Sequence, residues 1–176
     1  LKTLLEAQTW RRLRGTPSET TPTHATVVVT DGSVHGAGVV LGGNELAVPW
    51  LRRRCMQDQQ NAEWDAADLG IGHAIRETAS GDPILYVSDN TGVLAGLMTG
   101  NPTSLRGVEV VRRLHATLRG PLWVAFVASE DNPADRPSRS PAGKRQTPTW
   151  PHPLEGRWRA RAVLATWSMS DPTPSS

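Results

Sequence analysis

The chain has 176 residues, enough for one domain with a buried core, and its 38% apolar and 20% charged residues are globular proportions. No apolar run approaches the roughly 20 residues of a membrane span, no basic–apolar–small pattern opens the chain, and a single cysteine, Cys55, excludes an internal disulfide and a thiolate zinc cage. Net charge is only +2, yet residues 25–135 hold 8 Lys/Arg against 13 Asp/Glu while residues 136–176 hold 7 against 2; an acidic body with a basic end suits a metal site beside a nucleic-acid-binding tail, or simply a solvated basic tail.

Residues 1–14, LKTLLEAQTWRRLR, read as a short amphipathic helix with Leu4, Leu5 and Trp10 on one face and Arg11, Arg12 and Arg14 in the last turn, where cations suit the helix dipole. GTPSETTPTH (15–24) reads as a linker. ATVVVTDGS (25–33) is a β-branched run ending in a Gly turn; HGAGVVLGG (35–43) and ELAVPWL (45–51) follow it to make an antiparallel meander. A helix is expected from about Asn61 to Thr78, with Ala67, Gly70 and Ala74 at helical spacing from Glu63 and with Asp65, Asp68 and Arg76 on another side. PILYVSDN (83–90) reads as a buried strand, Asn90–Met98 as a short helix, Leu105–Arg119 as a longer one stopped by Gly120-Pro121, and PLWVAFVAS (121–129) as the last strand. One more helical turn follows, then a Pro-, Ser- and Arg-rich tail expected to be poorly ordered or draped on the surface. The order predicts an α/β fold: a three-strand meander, then α-β-α-α-β, giving a mixed five-stranded sheet with helices on its faces. The expected division is an N-terminal helix and linker (1–24), the α/β domain (25–139) and a basic tail (140–176). The absence of an initiating Met suggests a fragment of a longer chain or a processed one, and the lone cysteine fits a reducing, intracellular setting without choosing cytoplasm or nucleus.

Four carboxylates stand at informative positions: Asp31 at the end of the first strand, Glu63 at the start of the first long helix, Asp89 at the end of the fourth strand and Asp135 after the last. A helical crossover makes the first and fourth strands parallel. As neighbours they would present Asp31 and Asp89 at one carboxyl-end edge, where open α/β sheets place their sites. Unpaired carboxylates share a small site only if something positive joins them. Two magnesium ions do so, and a pair about 3.5–4 Å apart suits hydrolysis of a phosphodiester without a side-chain nucleophile. The oxygens of Asp31, Glu63 and Asp89 are therefore expected to converge on one metal site with Asp135 at its rim. Each residue also has an ordinary reading: Asp31 as a turn residue, Glu63 as a complement to the helix dipole, Asp89 as an N-cap, Asp135 in a first turn after an Asn132 cap and Pro133.

TDGS (30–33), NAEWDAADLGI (61–71), VSDN (87–90) and NPADRPSR (132–139) together resemble the four acidic motifs of the ribonuclease H family, over roughly residues 25–139. The resemblance implies a ribonuclease H-like fold and cleavage of the RNA strand of RNA–DNA hybrids. It makes Asp31, Glu63, Asp89 and Asp135 the catalytic metal ligands for two Mg2+ ions, with Mn2+ as a substitute. The ending ASEDNPADRPSR is similar to the ribonuclease H domains of hepadnaviral polymerases and retrotransposon reverse transcriptases, which implies a reverse transcriptase domain in the same polypeptide. For hybrid contact it points to the Gly32–Ser33 turn against RNA 2′-hydroxyls, and to Asn90, Asn132, Arg136 and Arg139.

Two departures from the family stand out. The loop that in cellular members carries a histidine is here Ser129-Glu130-Asp131, and the stretch between Met98 and Leu105 is too short for a basic hybrid-gripping handle. Arg52–Arg54, Arg112–Arg113 or the tail arginines are candidate replacements, the tail foremost because it interleaves Trp with Arg (149–161). Trp64 is expected in the core rather than stacked in the groove. Competing readings are an inactive ribonuclease H-like binding or scaffold subunit of a ribonucleoprotein, a DNA-cutting nuclease or transposase on the same fold, and an unrelated small metal-binding protein.

Overall fold

A computed structural model of the chain describes residues 25–79, 81–139 and 163–165. The expected helix at 1–14, the linker at 15–24 and most of the 140–176 tail lie outside the described residues. Strands β1 (Thr26–Gly32), β2 (Gly36–Leu41) and β3 (Asn44–Pro49) form the meander; α1 (Gln59–Glu77), β4 (Ile84–Ser88), α2 (Thr91–Thr99), α3 (Leu105–Thr117), β5 (Leu122–Phe126) and the short α4 (Asp135–Arg139) follow. The sheet order is β3-β2-β1-β4-β5-β6. β1, β4 and β5 run parallel, and β2 and β3 are antiparallel to their neighbours. This is the expected mixed sheet, meander first and helical crossovers after. The sixth strand, β6 (Val163–Ala165), corrects the expectation for the tail: a piece of it pairs antiparallel with β5. Its VLA segment is too short to register as a strand by alternation, and the free edge of β5 supplies the pairing.

The local causes are plain. β-Branched residues fill β1, and a two-residue Gly42-Gly43 turn with φ of 55° and 83° joins β2 to β3, the doubly positive geometry that matches strand twist. α3 begins at Ser104, whose Oγ accepts the Gly107 N–H at 3.0 Å. Ser104→Ala is expected to cost about 1 kcal/mol, measurable as a lowered thermal midpoint; an unchanged midpoint would remove the cap from the account.

Alternation in the strands splits the core. Val28, Val39, Tyr86 and Val124 pack on one face beneath α1, α2 and α3, with Trp64, Ile71, Leu97 and Leu114 from the helices. Trp64 is 1% exposed, wedged against Gly96, Gly107 and Pro102, so it belongs to the core as expected. Val29, Leu85, Val87 and Trp123 line the opposite face with Ala134. The polar outer side of α1 is held by ion pairs: Asp65 binds Arg54 and Arg106, Asp68 binds Arg113, and Arg106 reaches Glu109 at 2.9 Å and Asp68 at 3.4 Å. These pairs tie the loop after β3 and helix α3 to α1.

Candidate active site

Val29 and Val87 are the last residues paired between β1 and β4; two residues further on, the two parallel strands carry Asp31 and Asp89. Both therefore leave the same carboxyl-end edge. Asp31 lies in the strand itself, opposite Gly38 of β2, and is 7% exposed, so the turn reading does not apply. The N-cap of α2 is Asn90, whose Oδ1 accepts the Val93 N–H at 3.0 Å, leaving Asp89 free of that duty. Glu63, on the second turn of α1, is 6% exposed and leans over the strand end: its Oε2 accepts the Gly32 N–H at 3.1 Å and its Oε1 accepts from Gln59 Nε2 at 3.3 Å. Helix α4 brings Asp135 alongside.

What admits α4 is Gly38. A Cβ there would lie 2.0 Å from the Ala134 carbonyl oxygen and 2.6 Å from the Ser138 nitrogen. The bare backbone of β2 lets α4 lie flat on the sheet beside Asp31. Ser33 locks it from the other side, its Oγ donating to the Ser138 carbonyl at 2.6 Å. Gly38 and Ser138 are the site residues missed in the sequence. The signal for Gly38 was a glycine inside a strand, which often marks close backbone approach.

The four carboxylates feel one another. Burial raises the Asp31 pKa, and repulsion from Asp89 and Asp135 adds to it, against a hydrogen bond from Ser138 and the charge of Arg139. Burial, then repulsion from Asp31 and Asp89, pushes Glu63 up to about 8. The expected convergence of oxygens on one point, however, is not the arrangement observed: among the described residues no three His, Cys, Asp or Glu side chains are disposed to hold a metal ion. The physical reason is that the carboxylates turn to protein donors. Asp89 accepts from Asn132 Nδ2 at 2.9 Å and from Ser129 Oγ at 2.5 Å, and Asp135 pairs with Arg139 at 2.6 Å.

The residues expected to contact a hybrid divide. Asn132 is buried, its amide donating to Asp89 and to the Thr30 carbonyl at 3.3 Å, so it positions Asp89. Ser33 is buried in its bonds to Gly36 and Ser138, and the Gly32 N–H is taken by Glu63. Asn90 caps α2, and Arg136 pairs with Glu45 at 2.9 Å. Arg139 lines an open cleft with Asp31, Gly32, Ser33, His35 and Gln59.

Because the folded pKa of Glu63 lies above its ordinary value, the folded state keeps a proton between about 4.5 and about 8 that the unfolded state has lost. Stability of the metal-free domain therefore falls as pH rises through that window. Glu63→Gln keeps an acceptor for the Gly32 N–H and should flatten the fall, making the variant more stable than wild type at pH 8 by roughly 2 kcal/mol. Urea unfolding at pH 5 and pH 8 measures this, and parallel pH dependence in the two proteins would contradict it.

No family model and no curated protein matches the sequence. Among solved structures, the chain is similar to ribonuclease H1 from the halophilic archaeon Halobacterium salinarum, at 20% identity and a TM-score of 0.48, over 63% of this chain and 91% of that one. It is also similar to the N-terminal ribonuclease H domain of a Mycobacterium tuberculosis protein, solved as a fusion with maltose-binding protein, at 18% identity and a TM-score of 0.48, over 64% of this chain and 95% of that one.

Proposed function

We propose that this chain is a metal-dependent ribonuclease H that hydrolyses the RNA strand of RNA–DNA hybrids. The observation that carries the reading is electrostatic. Glu63 and Asp31 are buried at one sheet edge beside Asp89 and Asp135, and for both of them burial and carboxylate repulsion outweigh the hydrogen bonds and the Arg139 charge that oppose them. A cluster of mutually repelling carboxylates at one sheet edge has the donor chemistry of hard divalent cations. Asp31, Glu63, Asp89 and Asp135 would hold two Mg2+ ions, or Mn2+ in their place. Bound there, the metals supply an activated water and charge stabilisation for an in-line phosphodiester displacement. The protein's own part is to keep the carboxylates at this edge: Asn132 and Ser129 hold Asp89, the Gly32 N–H and Gln59 hold Glu63, and Gly38 seats α4, which carries Asp135 and brings Arg139 to the cleft.

The motif ASEDNPADRPSR supports a retroelement setting with a reverse transcriptase domain in the same polypeptide, and the lone Cys55 fits an intracellular location. A second reading, an inactive binding or scaffold subunit, draws on the protein donors that already occupy Asp89 and Asp135. Incubating the chain in magnesium with a labelled RNA–DNA hybrid, a DNA duplex and an RNA duplex separates them. Cutting confined to the RNA of the hybrid supports the enzyme. Hybrid binding with no cutting, and no magnesium-dependent rise in melting temperature, supports the scaffold.

A further inference from the structure

The loop from Trp50 to Asp58 carries the Arg52-Arg53-Arg54 run, and it is pinned to the turn that lines the cleft. The Trp50 N–H donates to the His35 carbonyl and the Arg54 N–H to the Val34 carbonyl, each at 3.0 Å, while the Trp50 indole donates to the Ser33 carbonyl at 2.8 Å. Residues 51–53 bulge outward between those two pins. The three arginines then have different fates. Arg54 turns inward, pairing with Asp65 and stacking over the Trp50 ring at 4.4 Å from its centroid. Arg52 and Arg53 are exposed and enter no ion pair among the described residues. The cleft is lined by Asp31, Val34, His35 and Met56, so the exposed Arg52 and Arg53 sit on a loop anchored to the turn that borders it.

We infer that Arg52 and Arg53 form a rigidly based arm that grips backbone phosphates of the duplex entering the cleft. The inference rests on the nucleic-acid reading of the site and adds to it where the substrate is held. Its physical sense follows from the charges. An active site of four carboxylates repels a polyanion, so the attraction must come from its border. A guanidinium suits that task because its planar fork matches phosphate oxygens. Arg54 serves as the footing, since its charge is spent on Asp65 and its ring contact stiffens the loop. The arm also answers the absence of a basic handle between Met98 and Leu105: of the two helical candidates, Arg113 is committed to Asp68, which leaves Arg112 alone on α3 where the loop presents a pair.

The test is the salt dependence of hybrid binding by the full chain in EDTA, followed by fluorescence anisotropy, for wild type, Arg52→Ala/Arg53→Ala, the charge-reversed Arg52→Glu/Arg53→Glu, and Arg76→Ala. Arg76 lies 13 residues along α1 from Glu63, roughly 20 Å away at 1.5 Å per residue. Loss of two phosphate contacts should lower the slope of log K against log salt by about 1.8. The reversed pair should weaken binding further, and Arg76→Ala should keep the wild-type slope. If the wild type cleaves and binds hybrid but the double variants keep its slope, the arm is wrong and the ribonuclease reading stands. If the wild type neither binds nor cleaves hybrid, both fall together.

Discussion

Asp31→Asn is expected to reduce hybrid cleavage in magnesium by more than about a hundredfold, at least roughly 2.7 kcal/mol in the barrier, while leaving the metal-free domain as stable as wild type or more so. The two halves have one cause. Asp31 is buried beside Asp89 and Asp135, and both burial and their charges oppose its ionisation. The amide removes that repulsion at nearly the same size and shape, so folding loses nothing. The carboxylate would also be a ligand of the metal, and an amide is a poor substitute for it on a hard cation. Magnesium should raise the melting temperature of the wild type, as any ligand of the folded state does, and raise that of the variant less. Melts with and without magnesium, beside one cleavage time course, measure all of this. Full activity in Asp31→Asn would remove the ribonuclease assignment, and lost stability without metal would return Asp31 to a structural role.

The second large effect is expected at a residue with no functional group. Gly38→Ala places a methyl 2.0 Å from the Ala134 carbonyl oxygen and 2.6 Å from the Ser138 nitrogen. Both obstacles are backbone, so no rotamer change relieves the collision; α4 must lift from the sheet. The cost should be about 3 kcal/mol, the upper end of ordinary overpacking. Lifting α4 carries Asp135, Ser138 and Arg139 away from Asp31, so activity should fall more than the lost stability alone explains at a temperature where the variant is folded. Urea unfolding and a cleavage rate at low temperature give the two numbers. A variant as stable and active as wild type would mean that α4 does not need this seat.

Much of this was legible in the chain. The β-branched run at Val27–Val29, the paired glycines after Leu41 and the helical spacing after Glu63 are local signals, and the meander and crossovers came from them. Asp31 and Asp89 could be placed at one edge because a helical crossover forces parallel strands. The supporting contacts were not legible, because they depend on residues far apart in sequence. Nothing local says that Gly38 faces Ala134, that Asn132 aims Asp89, or that Ser33 reaches Ser138. Asn132 and Ser33 look like polar surface residues in isolation, and only their burial shows that they position neighbours. Likewise the Arg52–Arg54 run gave no sign of which arginine turns inward, since that depends on Asp65 across the loop. The pairing of Val163–Ala165 with β5 rests on an edge strand remote in sequence.

The central claim, that these carboxylates form one hydrolytic site for the RNA of a hybrid, is tested most directly by the ends of the cut strand. An end-labelled hybrid is incubated with the wild-type chain in magnesium and in EDTA, and the fragments are examined for terminal phosphates. Water attack at phosphorus leaves the 2′-hydroxyl uninvolved, so the account predicts magnesium-dependent cuts in the RNA strand with no 2′,3′-cyclic phosphate. Cuts that persist in EDTA, or that end in a cyclic phosphate, would contradict it.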